Sequence, residues 1–254
     1  MNIIEDSEIN ILSLPCDIKR RDFMRLKLDN VGIKNYSFLD AIHGEDKKEL
    51  YKLYLKHVHS HKKVINGGIN AFGCFLSYTT WFLQKACDRS QIIFEDDIYF
   101  HKDFWNIVNN LPDDLTRNYN IIYLGYNQQK FSDKQYLALD TNQPMPISNK
   151  HTTYGTFGIF YTCKAVSILR DYFEELCTPL MQMIINFQTI DYTLWKAISN
   201  KLKIKTLILN PPLVIPEVRS STIRTDARFL ETFYAGKYIN LNDYSDIELY
   251  EKFI

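Results

Sequence analysis

The feature that most restricts this chain is an alternation of short apolar runs with stretches of helical spacing. Residues 9–14 (INILSL) alternate and end at Pro15. From Lys19 the spacing turns helical. Phe23 and Leu26, then Met24, Leu28 and Val31, fall at three- and four-residue steps, and Gly32 stands where a left-handed cap would close the helix. A second strand is predicted over 36–42, helical turns over 47–56, and an amphipathic helix over 71–87. Strands follow at 91–94, 120–124, 156–162 and 203–209, with helices at 103–111, 164–177 and 189–200, the last capped by Thr189. The polar stretch 59–70 (HSHKKVINGGIN) predicts a mobile loop, and 126–150 an excursion over the surface. Such a pattern predicts an α/β sheet covered by helices on both faces. With no Gly- or Pro-rich linker to divide it, one domain over 1–225 is expected, with a C-terminal helix and tail, 226–254, packed on it.

Composition narrows the function. The chain has 254 residues, long enough for a sizeable core. Thirty basic and thirty acidic residues cancel, so no net field steers nucleic acid or anionic lipid. Five cysteines, odd in number and without a CxxC pair, argue against a disulfide framework or a zinc site. The N-terminus lacks the basic flank and apolar run of a secretion signal, and no segment reaches the roughly 20 apolar residues of a membrane span. A cytoplasmic location is the expectation.

The chemistry concentrates at QIIFEDDIYF, residues 91–100, where an apolar strand runs into Glu95, Asp96 and Asp97. A solvated turn tolerates three adjacent acids; a bound divalent cation turns their repulsion into ligation. Mg²⁺ and Mn²⁺ favour one or two carboxylates completed by water and a substrate diphosphate. Ligands of open α/β sheets gather beyond the carboxyl ends of the strands, where this trio is expected.

GCFLSYTTW at 73–81, IIFEDDIYFHKDF at 92–104 and NIIYLG at 120–125, taken together, resemble glycosyltransferase family 25. ILSLPCDIKRRDFM at 11–24, FLDAIHG at 38–44, YGTFGIFYTCKA at 154–165, IDYTLW at 190–195 and NPPLVIPEVRSSTI at 210–223 extend the likeness in consistent order. The family includes bacterial lipopolysaccharide and lipooligosaccharide transferases and the collagen hydroxylysine galactosyltransferases. The resemblance implies a GT-A-type, Rossmann-like mixed sheet. It also implies a metal-dependent inverting transfer of a hexose, galactose first, from a UDP-sugar donor to a glycan or glycoprotein hydroxyl. Mn²⁺ or Mg²⁺ would sit against the donor diphosphate. Departures from the family pattern are Ser13 for Asn, Tyr78 for His, Glu217 near a Gln, and Thr222 for Asp. The first two bear on the donor, the last two on the acceptor end.

Carried onto this sequence, the likeness assigns Glu95 and Asp97 to the metal, since strand alternation sets them on one side. Asp96 is directed to the donor ribose or sugar. Leu14, Pro15 and Arg20 border the nucleotide, with the Arg20 guanidinium suited to phosphate. Asp191, at a predicted helix start, is the general base for the acceptor hydroxyl. Gly73 and Cys74 serve close packing, whereas His59, His61, His151 and the arginines 219, 224 and 228 carry weaker claims. Readings from other classes are a phosphohydrolase, which would need a second set of acids or histidines, and a non-catalytic nucleotide-sugar-binding relative.

Overall fold

The computed structural model describes residues 3–60, 68–112, 114–128, 145–146, 153–177, 187–199, 204–209 and 212–217. The predicted tail over 226–254, His61, His151, Thr222 and the three late arginines lie outside these residues. The strands are β1 (Ser7–Ser13), β2 (Ser37–Asp40), β3 (Ser90–Glu95), β4 (Ile98–Phe100), β5 (Ile121–Gln128), β6 (Met145–Pro146), β7 (Thr153–Tyr161), β8 (Thr206–Ile208) and β9 (Val214–Pro216). The helices are α1 (Ile18–Val31), α2 (Lys48–Ser60), α3 (Ile69–Gln84), α4 (Phe104–Asn109), α5 (Leu115–Asn118), α6 (Cys163–Cys177) and α7 (Ile190–Ser199).

One sheet has the order β2-β1-β3-β7-β5-β8-β6, and β4 pairs with β9 in a second. Strands β2, β1 and β3 run parallel, as do β5 and β8, while β7 lies antiparallel between β3 and β5. The expected mixed sheet is therefore present, and its alternation divides the interior in two. Ile93, Ile121, Tyr123, Ile159 and Tyr161 face a core shared with α2, α3, α6 and α7. Their neighbours Ile92, Phe94, Ile122, Leu124 and Phe160 face another, built with α1, α4, α5 and the β4–β9 pair. Successive side chains on opposite faces, each covered, explain why these strands read as nearly continuous apolar runs.

Helix α1 starts where the Asp17 carboxylate accepts from the Arg20 N–H at 3.2 Å and ends at Gly32, whose φ of 82° is left-handed as its position predicted. Its buried stripe differs from the expected one. Met24, Lys27 and Leu28 face inward, and Leu26 is exposed. Of the stretch 59–70 predicted as a loop, α2 takes the residues through Ser60, with His59 on its last turn, α3 begins at Ile69, and 61–67 lie outside the described residues. The excursion expected over 126–150 is interrupted: β5 continues through Gln128, and β6 joins the sheet edge.

Candidate active site

The parallel strands β1, β2 and β3 end on one edge of the sheet, and a cavity of about 180 Å³ opens beyond them. Residues 12–14 and Arg20 line it from the first strand–helix unit, and residues 41–44 from the chain after β2. Asn70, Cys74 and Ser77 contribute from α3, and Glu95, Asp96 and Asp97 close it at the end of β3. Leu14, Arg20 and all three acids are thus brought together. Pro15 stays exposed on the turn after β1 and is not among the lining residues.

The acids have different surroundings. Asp96 is buried; its Oδ2 accepts from Ser13 Oγ at 2.6 Å and its Oδ1 from Arg20 Nη1 at 3.0 Å. With both oxygens engaged, its carboxylate fixes Arg20 at the cavity edge. Arg20 also lies 3.9 Å from Asp97 Oδ2, so its guanidinium is shared within the acid turn. Glu95 accepts from the Thr156 hydroxyl, and Tyr78 Oη lies 3.5 Å from the same oxygen while donating to Thr156 O at 3.0 Å. Tyr78 therefore stands behind Glu95, outside the cavity lining.

Glu95 makes no ion pair among the described residues. Burial, with the Asp97 charge, pushes its pKa up to about 8. Burial likewise raises Asp97 to about 6, although Arg20 pulls the other way. Strand alternation explains only part of this arrangement, since the backbone leaves β3 after Glu95 and the turn itself sets where Asp97 lies.

Asp191 occupies the first turn of α7, which packs on β7 and α3. Its charge contributes to the upward shifts of Glu95, Cys74 and Tyr123. Asp191 is not among the residues lining the cavity, and its charge supplies a small part of the Glu95 shift.

The neutral wall of the cavity is fixed by close packing. A Cβ on Gly44 would lie 2.0 Å from Ile69 O, and one on Gly73 2.6 Å from Ile42 O, so the 41–44 segment and α3 touch backbone to backbone. Ser77 Oγ accepts from the Ile42 N–H at 2.8 Å and donates to Gly73 O at 2.8 Å. This is the packing role expected of Gly73. Cys74 faces the cavity, and burial holds its thiol well above the usual range, hence protonated.

Two contributors escaped the sequence reading: Thr156 and Lys27. Glu217, read as bearing on the acceptor end, is brought to the acid turn by the β4–β9 pairing, where its N–H donates to Asp97 O at 2.5 Å.

The family model for glycosyltransferase family 25, described as an LPS biosynthesis protein, matches residues 6–179, more than half of the sequence. The chain belongs to glycosyltransferase family 25. The matched segment contains the acid turn, Arg20 and the 41–44 wall; Asp191 and Glu217 lie beyond it. Among solved structures, the crystal structure of a glycosyltransferase involved in the glycosylation of the major capsid of PBCV-1 is similar at 11% sequence identity. That match covers 84% of this chain and 96% of that one, with a TM-score of 0.41. Comparison with curated proteins finds no match. As a family 25 member the protein is a glycosyltransferase enzyme, with a sugar donor and an acceptor as its substrates. Among the described residues, no helix is long and apolar enough to cross a membrane.

Proposed function

We propose that this enzyme transfers a hexose, galactose first, from a UDP-sugar to a glycan hydroxyl, as in lipooligosaccharide assembly, with inversion at the anomeric carbon. The observation that carries this reading is the pairing of Glu95 and Asp97 on one cavity, both raised by burial and incompletely balanced by cations. Two half-buried carboxylates of that kind fit a hard divalent ion, Mn²⁺ or Mg²⁺. Among the described residues no group of three or more His, Cys, Asp and Glu could hold a metal alone. In this reading the remaining ligands of the ion would be water and diphosphate oxygens. When bound, such an ion neutralises the charge that builds on the departing nucleoside diphosphate.

In this reading the chain's own residues divide the remaining work. Asp96 and Ser13 hold Arg20 at the cavity edge, where its guanidinium can turn to donor phosphate. Asp191 accepts the proton of the acceptor hydroxyl as that oxygen bonds to the anomeric carbon and the carbon–phosphate-oxygen bond breaks. The test is to incubate the purified protein with Mn²⁺ and a panel of UDP-sugars. UDP release is then followed with and without lipooligosaccharide glycans or hydroxylysine peptides. Acceptor-stimulated release supports the transferase and selects the acceptor class. Phosphate release from a phosphoester favours a hydrolase, and binding without turnover a non-catalytic relative.

A further inference from the structure

Beside the acid turn, outside the cavity lining, lies a buried charge pair for which the proposed transfer has no use. Lys27 Nζ is 3.7 Å from Glu217 Oε2, with side chains 5% and 4% exposed. The same ammonium donates to Ile98 O at 2.8 Å and sits 4.6 Å from the centre of the Tyr99 ring. The Glu217 N–H donates to Asp97 O at 2.5 Å. The contacts form a closed circuit: from Lys27 to the Ile98 carbonyl, back one peptide to the Asp97 carbonyl, on to Glu217, and from Glu217 to Lys27. Two consecutive carbonyls of the acid turn are therefore held by partners from α1 and from the end of β9. Glu217 Oε1 is buried with no hydrogen-bond partner among the described residues.

A buried ion pair seldom adds stability over an apolar pair of the same volume, and removing one partner strands the other. General stability is thus a poor reason for this pair to exist, whereas its bonds go to the backbone beneath a carboxylate of the site. We infer that Lys27, through its ammonium on the Ile98 carbonyl, and Glu217, through its N–H on the Asp97 carbonyl and its carboxylate on Lys27, are positioning residues that hold the two peptides after Asp97 so that the Asp97 carboxylate stays aimed into the cavity. The inference rests on the reading that Asp97 helps to hold a divalent ion.

The experiment uses the full chain and Mn²⁺, alone and with UDP to supply diphosphate oxygens, with free Mn²⁺ followed by its paramagnetic resonance signal and thermal melting measured alongside. Lys27→Met leaves the Glu217 charge unpaired, and both melting temperature and Mn²⁺ affinity fall. Lys27→Met/Glu217→Gln removes both charges together and leaves the net charge unchanged. Its melting temperature recovers, while its Mn²⁺ affinity stays roughly 10- to 100-fold below wild type, the usual effect of losing partners that orient a ligand. If the apolar variants do not fold, Lys27→Gln/Glu217→Gln carries the same comparison with polar side chains throughout. Mn²⁺ affinity within about threefold of wild type in the folded double variant, well short of that range, overturns this inference alone. A wild-type protein that binds Mn²⁺ neither alone nor with UDP present overturns the metal reading itself and this one with it.

Discussion

On one side of the cavity, residues 41–44 meet α3 through backbone contact at Gly44 and Gly73 and through the Ser77 hydroxyl. On the other side the acid turn is held by charges: Arg20 on Asp96 and Asp97, and Lys27 against Glu217. The neutral wall is complete in itself, since its close contacts involve fixed backbone atoms and the Ile42 N–H is satisfied. The charged wall is not. Four carboxylates (Glu95, Asp96, Asp97 and Glu217) face Arg20 and Lys27, and burial first, with the neighbouring carboxylates second, raises Glu95 and Asp97. A site divided in this way has one half that keeps its shape and another whose charge balance awaits a ligand.

The sharpest way to break that contrast is to remove charge from the incomplete wall. Asp97→Asn is expected to abolish Mn²⁺-dependent donor binding and leave the melting temperature of the metal-free protein unchanged or slightly higher, because a repelling charge is gone. Titration of a UDP-sugar in Mn²⁺, beside a thermal melt, measures both. Donor binding at wild-type affinity would remove Asp97 from the metal site.

Next in size, Asp191→Asn is expected to lower turnover by about 10²- to 10⁴-fold through loss of the proton acceptor, with the helix start intact because Asn also suits such positions. Since the Asp191 charge reaches Glu95, a small change in Mn²⁺ affinity is expected as well. Turnover within about threefold of wild type, outside that general-base range, would return the base role to another residue.

The neutral wall is tested by Gly44→Ala. The added methyl meets the Ile69 carbonyl, which cannot swing aside as a side chain can, and a loss of about 1–3 kcal/mol in stability is expected. Chemical denaturation of the metal-free variant gives the number. A variant as stable as wild type would show that this wall yields and that the contrast between the two sides is overstated.

The smallest expected effect concerns pH. In the folded, metal-free protein Glu95 holds its proton up to about 8, whereas an ordinary glutamate releases it near 4.5. Between those values the folded state binds more protons, so this group makes stability fall as pH rises. Asp97 acts in the same direction between 3.8 and about 6. Lys27 acts oppositely and higher: burial lowers it from 10.5 to about 8, so its cost is full below 8 and is relieved only above. Metal-free protein is therefore expected to melt lower at pH 8 than at pH 6, and Glu95→Gln to flatten that slope. Saturating Mn²⁺ should reverse it, because metal ligation gains as carboxylates lose protons. An unchanged slope in Glu95→Gln would place the pH dependence elsewhere.

Much of this arrangement could be read in the sequence where local pattern determines it. The apolar runs gave the central strands because Ile92, Ile93 and Phe94 face two covered layers in turn. The acid trio stood out because three carboxylates at the end of such a strand conflict with burial. Strands β4 and β9 escaped notice: three residues cannot display a period, and their partners lie more than a hundred positions apart in the chain. The link from Glu217 to Asp97 could not be read for that reason, since the β4–β9 pairing makes it. Lys27 resembled a surface lysine in a basic helix. Its one signal was its place between Met24 and Leu28 on the apolar stripe, where a solvated charge does not belong. Thr156 gave no local sign, because an antiparallel neighbour decides which hydroxyl reaches Glu95.

That antiparallel strand also sets a timetable for folding. Running against its neighbours, β7 brings its early residues to the carboxyl end of β3, so Thr156 reaches Glu95 across 61 positions of chain. On a growing polypeptide the acid turn emerges well before this partner, and Glu217 follows later still. Until both arrive, Glu95 lacks the Thr156 hydroxyl and Asp97 the Glu217 N–H, whereas Ser13 and Arg20, the partners of Asp96, precede it in the chain. Contacts between such distant segments form slowly, because loop closure costs entropy before the contact is gained. The acid turn is synthesised early and enclosed late, and a chain cut short before β9 would lack the Glu217 N–H on the Asp97 carbonyl and the partner of Lys27.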